Sequence, residues 1–147
     1  MIQVIIPGQP QGKGRPRIGK IGQHARMFTP AKTVAYEGLV ALCAQGALRG
    51  APLLGGAVRV RMNLWCQIPV SATKRHRAEM AAGSRRPTTK PDIDNVVKAI
   101  FDGFNGVLWR DDVQVVELTV SKHYADTPSV VVNVEPIFVA DLIAEAA

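Results

Sequence analysis

The chain has 147 residues, 47% of them hydrophobic, with a formal net charge of +6 and a pI near 9.8. That length buries one real core and leaves little room for a second domain, so residues 1–147 read as one unit. No apolar run approaches the roughly 20 residues of a bilayer span, and the opening Met1-Ile2-Gln3-Val4-Ile5-Ile6-Pro7 lacks the charged start and long apolar stretch of a signal peptide, so a soluble cytoplasmic protein is expected, without a membrane partner.

Ile2 to Ile6 reads as a first strand, ended by Pro7-Gly8-Gln9-Pro10-Gln11-Gly12-Lys13-Gly14-Arg15-Pro16-Arg17, where Gly and Pro forbid regular structure. Arg26-Met27-Phe28 is a candidate short returning strand. Thr29 is expected to cap a helix that has Pro30 at its first position, runs to about Leu48 and turns Val34, Leu39, Leu42 and Cys43 to the core. Residues 50–56 form a turn. From Val58 the pattern alternates, with Val58, Val60, Met62, Leu64, Cys66 and Ile68 on one face and Arg59, Arg61, Asn63 and Gln67 on the other, which predicts a half-buried strand.

Ser71 is placed to cap a basic helix from Ala72 to Ala82, followed by a loop to Pro91. A second clear helix is expected from about Asp94 to Phe104, with Val97, Ile100, Phe101 and Phe104 as its buried stripe. Val113 to Tyr124 and Ser129 to Ile137 read as two strands joined by a turn. The tail, residues 138–147, is left open between a short helix and a frayed end. The fold class is therefore α+β, a small mixed sheet of about four strands packed with two main helices. Cys43 and Cys66 show no metal spacing and read as reduced core thiols.

Charge is unevenly divided. Residues 1–91 hold fifteen of the eighteen Lys and Arg against two acids, Glu37 and Glu79, whereas residues 92–147 hold three basic residues against ten acids. A basic surface that only maintains solubility would explain the net charge but not this segregation. A polyanion-binding surface around an acidic centre explains both.

The acidic centre is the stretch Lys90-Pro91-Asp92-Ile93-Asp94-Asn95-Val96-Val97-Lys98 with the later Trp109-Arg110-Asp111-Asp112. Asp92 and Asp94 can turn to the same side of an extended segment, and Asp111-Asp112 can meet them there. Carboxylates at that density repel one another unless a cation sits among them. Hard oxygen ligands suit Mg²⁺ or Mn²⁺, the ions that activate water on phosphodiesters. A simpler reading exists for each residue alone: Asp94 as a helix cap, and Lys98 as its partner in an i, i+4 ion pair worth a few tenths of a kcal/mol. Asp92 has no capping duty in that reading, and adjacent carboxylates opening a strand cost stability without a cation. Asn95 is a candidate hydrogen-bonding residue toward a loop or phosphate, and Asp102 a solvated residue or a partner of Lys98. His24, His76 and His123 are scattered without zinc or nucleophile spacing.

The run from Lys90 to Asn105, with Trp109-Arg110-Asp111-Asp112-Val113-Gln114-Val115, closely resembles the RusA family of Holliday junction resolvases. The Pro7-Gly8 and Lys13-Gly14-Arg15-Pro16-Arg17 loop and Tyr36-Glu37 resemble the branch of that family found in phages and prophages. The resemblance covers nearly the whole chain to about Ile137; the tail departs from it. It implies an α+β homodimer that binds four-way DNA junctions and nicks two opposed strands in recombination and repair. Asp92, Asp94 and Asp112 are implied as the Mg²⁺-binding catalytic carboxylates and Lys98 as a residue needed for cleavage, with Asp111 a weaker candidate ligand. Two rival functions are a non-catalytic DNA-binding protein and a nuclease for other branched DNA such as flaps.

Two basic segments are expected to contact phosphates without reading bases: Lys13, Arg15, Arg17 and Lys20 in one, and Lys74, Arg75, Arg77, Arg85, Arg86 and Lys90 in the other. Trp65 and Trp109 are either stacking surfaces for an unpaired base or packing residues, and packing is the simpler reading.

Overall fold

The computed structural model describes residues 1–146, excepting the side chains of residues 139, 141 and 142. Alternation in strand β4 (Val58–Gln67) organises the rest, because its Val58, Val60, Met62, Leu64 and Cys66 are all buried on one face. A strand so apolar on one side is stable only inside a sheet with that side covered. It accordingly lies in the interior of a four-stranded sheet, ordered β1-β6-β4-β5 with β1 at Ile2–Pro7, β5 at Val115–Ala125 and β6 at Ser129–Pro136. β4 runs antiparallel to β6 and parallel to β5, and β6 runs antiparallel to β1.

β5 and β6 are consecutive in sequence, yet β4 lies between them. The connecting turn passes over the end of β4 and is held there, with the Gln67 side-chain amide donating to the Asp126 carbonyl (3.0 Å) and the Ile68 N–H to that of Ala125 (3.2 Å). The parallel β4/β5 pair requires a long crossover. Helix α2 (Lys74–Ala82), a loop and helix α3 (Ile93–Phe104) supply it. Helix α1 (Ala31–Leu48) packs with α3 over the inner face of the sheet, where Tyr36, Val40, Ala44, Val96, Ile100, Phe104 and Trp109 join the sheet valines in one core.

Several expectations are corrected. Pro30, not Thr29, occupies the position before α1, and its carbonyl accepts from the N–H groups of Thr33 (3.0 Å) and Val34 (3.1 Å). The buried stripe of α1 is Thr33, Tyr36, Val40 and Ala44, while Val34 and Leu42 face outward. That helix is apolar almost all round, so periodicity alone could not choose a side. Thr73, not Ser71, caps α2 by accepting from the His76 N–H (3.2 Å), and α2 starts at Lys74. The stripe of α3 is Val96, Ala99, Ile100, Gly103 and Phe104, with Val97 and Phe101 half-buried beside it. Residues 112–114, expected to open a strand, form one 3₁₀ turn before β5.

A further strand, β2 (Arg17–Ile21), lies where only loop was expected, and it pairs with β3 (His24–Phe28) as a separate two-stranded ribbon. The tail is a helix, α4 (Val139–Ala146), with Ala147 outside the described residues. Arg59, on the outer sheet face, pairs with Glu117, Glu135 and Glu145, the last of these on α4. Cys66 is buried and Cys43 half-buried, both are free, and burial pushes both thiols up. Among the described residues no helix is long and apolar enough to cross a membrane.

The α1–α3 contact depends on Gly103. A Cβ there would stand 2.6 Å from Val40 Cγ1 and 3.0 Å from the Glu37 carbonyl oxygen, closer than real atoms approach. Gly103→Ala is expected to push the helices apart and lower stability by ~1–3 kcal/mol, the usual cost of overpacking. Calorimetry checks it, and an unchanged thermal midpoint would contradict so close a helix contact.

Candidate active site

Helix α3 sets the site. Asp92 occupies its N-cap position, where its carbonyl accepts from the Val96 N–H (3.1 Å) but its side chain makes no capping hydrogen bond. Asp94 lies in the first turn, among the backbone N–H groups that have no partner within the helix. Among the described residues neither carboxylate is held by a hydrogen bond or ion pair, and the Asp94–Lys98 pair that the spacing allowed does not form. The capping role that could have explained these aspartates is therefore absent.

Asp94, Lys98 and Asp112 line one cavity of about 560 Å³ between α3 and the start of β5, walled by Ile93, Val97, Phe101 and Val115. Asp92 instead lines a neighbouring cleft of about 850 Å³, together with Arg15, Arg17, Lys32, Lys90 and Asn95. Asp111 lines a third hollow beside Arg110. Asp92 and Asp94 were expected to turn to the same side of an extended segment. The helix begins between them, and residues two apart on a helix do not face each other. Among the described residues no three His, Cys, Asp or Glu side chains gather as a metal cage. Two carboxylates on one cavity still fit a hard divalent cation, which commonly takes one or two protein carboxylates with water and substrate phosphate as the remaining ligands.

Asp112 is approached by Asn105, a residue given no role in the sequence analysis, which is itself held by Trp109. Trp109 is fully buried, edge-on to Phe101 and Phe104, and its indole N–H donates to Asn105 Oδ1 (2.7 Å). Indole nitrogen only donates, so the Asn105 oxygen must face it and the amide nitrogen turns the other way. That nitrogen lies 3.5 Å from Asp112 Oδ2. Asp111, by contrast, has a structural duty. Its carboxylate accepts from the Val113 N–H (3.3 Å) and caps the 3₁₀ turn, while Gln114 Oε1 accepts from the Asp111 N–H (3.2 Å). Gln114 also donates to the carbonyls of Leu54 (3.0 Å) and Gly56 (2.9 Å), clipping this turn to the loop before β4. An Asn-Gly pair four residues before a tryptophan was the available signal for Asn105, and it reads equally as an ordinary turn.

The basic residues separate into engaged and outward-facing ones. Lys13, expected on the DNA side, is ion-paired to Glu37 of α1 (3.1 Å) and Asp102 of α3. Asp102, considered as a partner of Lys98, serves Lys13 instead. The Lys13 N–H donates to the Asn95 carbonyl (3.0 Å), and the Gly14 N–H to Thr33 Oγ1 (2.9 Å), so the loop lies flat against both helices. A Cβ on Gly14 would come within 2.8 Å of that hydroxyl. Arg75 and Arg85 pair with Glu79, Arg77 donates to the Pro69 carbonyl, and Arg86 to that of Lys122. Among the described residues the side chains of Arg15, Arg17, Lys20, Lys74 and Lys90 have no such partner. Trp65 stacks on His123 with ring centroids 4.5 Å apart. Burial, and secondarily Arg86, lowers the pKa of that imidazole.

The chain belongs to the RusA endodeoxyribonuclease family, whose model matches residues 7–135, and is thereby a nuclease-family protein acting on DNA. It is also similar to YqaN of Bacillus subtilis strain 168, an uncharacterized protein, with 36% identity over 138 residues that cover 92% of this chain and 96% of that one.

Two outcomes follow from these contacts. Asn105→Ala leaves the buried Trp109 N–H without its acceptor and is expected to cost ~1–3 kcal/mol in denaturant unfolding; a cost near zero would show that the contact is not made. The hydrogen bond that Lys13 donates to Asp102, its largest cause, raises the Lys13 pKa above its usual 10.5. A raised lysine pKa stabilises the fold fully below the unfolded value and loses that contribution as pH climbs through the folded one. The stability difference between wild type and Lys13→Met should therefore be flat across neutral pH and shrink only at strongly alkaline pH.

Proposed function

We propose that the protein is a Mg²⁺-dependent, structure-specific endonuclease that resolves four-way DNA junctions by paired phosphodiester hydrolysis in recombination and repair. The observation that carries this reading is the shared cavity of Asp94, Asp112 and Lys98, opening beside a cationic cleft that reaches Asp92. Asp94 and Asp112 would hold the cation, Mn²⁺ substituting for Mg²⁺. Bound there, it supplies an activated water and neutralises charge on the leaving oxygen.

The protein's own groups do the rest. Lys98 brings an unpaired ammonium to the same cavity, where it offsets charge building on the phosphoryl oxygens in the transition state. Asn105, held by the buried Trp109, turns its amide nitrogen toward the Asp112 carboxylate. Arg15, Arg17, Lys32 and Lys90 bind backbone phosphates in the cleft, and Asp92 stands as the third carboxylate of the site where that strand passes. Lys20, Lys74 and the α2 arginines extend the contact surface along the duplex arms. Two matched cuts in a nearly twofold-symmetric junction call for two such sites, which an isologous homodimer provides.

Cleavage of a synthetic four-way junction, a flap and a plain duplex, compared in Mg²⁺, Ca²⁺ and EDTA, tests the reading. Mg²⁺ should give paired opposed nicks in the junction, Ca²⁺ binding without cutting because it positions water poorly, and EDTA neither nick. Asp94→Asn and Asp112→Asn should each slow cutting by at least ~100-fold while junction affinity is kept or improved. Full activity in EDTA would remove the metal mechanism, preferential flap cutting would reassign the substrate, and binding without cutting under every condition would leave a DNA-binding protein.

A further inference from the structure

The ribbon β2–β3 has no place in the core. It pairs only with itself, and every one of its residues except Gly19 is exposed. Short two-stranded ribbons are marginal in water. This one nevertheless exposes four large apolar side chains: Ile18 (75%), Met27 (65%), Ile21 (52%) and Phe28 (41%). Ile18 and Met27 are directly opposed in the register and so share one face. Side chains of that size grouped on a projecting element mark a contact surface.

The charge around them identifies the contact. Residues 13–32 contain six Lys and Arg and no acid. Among the described residues Arg15, Arg17, Lys20, Arg26 and Lys32 have side chains without an ion pair or hydrogen bond. The partner is therefore strongly anionic and also offers apolar surface. The ribbon leaves the body at Arg15, Pro16 and Arg17, which line the same cleft as Asp92, so that partner reaches the site as well. Within an intact duplex the base faces are stacked and covered. At a branch point the bases beside the crossover can be uncovered, and Ile and Met are among the side chains that wedge against bases so exposed. A two-stranded ribbon is also narrow enough to enter a DNA groove.

We propose that the β2–β3 ribbon enters the branch point of the DNA, with Ile18 and Met27 packed on bases unstacked at the crossover and Arg15, Arg17, Lys20 and Arg26 holding the flanking phosphates. This rests on the junction reading. The ribbon thus acts as an opening element for the cavity of Asp94 and Asp112, delivering a strand that an arm of regular duplex would not.

The test uses a four-way junction carrying 2-aminopurine beside the crossover, bound in Ca²⁺ and cut in Mg²⁺. Wild type should raise the 2-aminopurine fluorescence on binding. The double variant Ile18→Ser, Met27→Ser keeps every charge, so its affinity should stay within ~3-fold of wild type. It should give no fluorescence rise and cut the junction at least ~10-fold more slowly, with near wild-type cutting restored on a junction built with unpaired bases at its centre. Ile18→Phe, Met27→Phe, which keeps apolar area, should retain the rise. A serine variant that opens and cuts the intact junction like wild type overturns the inference, as does wild-type cutting with no fluorescence change, and either result leaves the junction reading standing. Wild type that neither binds nor cuts junctions removes the junction reading and the ribbon's role together.

Discussion

The closeness of α3 to α1, possible because residue 103 is glycine, governs the arrangement of the site. With Val96, Ala99, Ile100 and Phe104 turned into the core, α3 has one rotation available. That rotation leaves Asp94 and Lys98 on the side away from α1, facing β5. The end of the same helix delivers Asn105 to the buried Trp109, and from there the chain arrives at Asp112. Both walls of the cavity thus take their position from one helix contact. The N-terminal loop uses the same reference, because Lys13 bridges Glu37 of α1 and Asp102 of α3.

Electrostatics then divides labour between neighbours in sequence. Asp111 satisfies the backbone of its turn, which leaves Asp112 free to face the cavity. Lys13 neutralises two half-buried acids, and Arg15 and Arg17, two and four residues on, remain unpaired toward the cleft. Unpaired carboxylates beside unpaired cations cost stability in a resting protein, since each would gain from the other. Here the rigid helix start and the flat-lying loop hold them apart.

Much of the architecture was legible where one physical requirement dominated. Strict alternation from Val58 to Cys66 allowed one reading, and β4 matches it. The first strand and the existence of α3 were similarly legible, but the stripe of α3 was misplaced by part of a turn, with Val97 and Phe101 expected inside where Val96, Ala99 and Gly103 lie. α1 lacked a sharp contrast of apolar and polar residues, so Val34 and Leu42 were expected inside and lie outside. Of the ribbon only Arg26-Met27-Phe28, within β3, was legible as a strand; β2 was hidden because a five-residue strand paired only with one neighbour carries little period-two signal. The order β6-β4-β5 was equally hidden, since a short turn between strands ordinarily means that they are neighbours.

By itself the sequence determined the family, and it named the residue types from which a site can be proposed: the aspartates, the lysine and the segregated cations. Those follow from residue type, and side-chain chemistry does not change with the fold. Only the tertiary structure decided which of them lie together. It set Asp112 with Asp94 and Lys98, turned Asp92 to the neighbouring cleft, gave Asp111 a capping duty, and withdrew Lys13 from the DNA-facing set. It also showed Asn105 and Gln114, with Trp109 as a packing residue, holding the segment that carries Asp112. These are facts of direction and distance, fixed by where α3 starts and how closely it packs, and spacing along a chain does not encode them until the helix is placed.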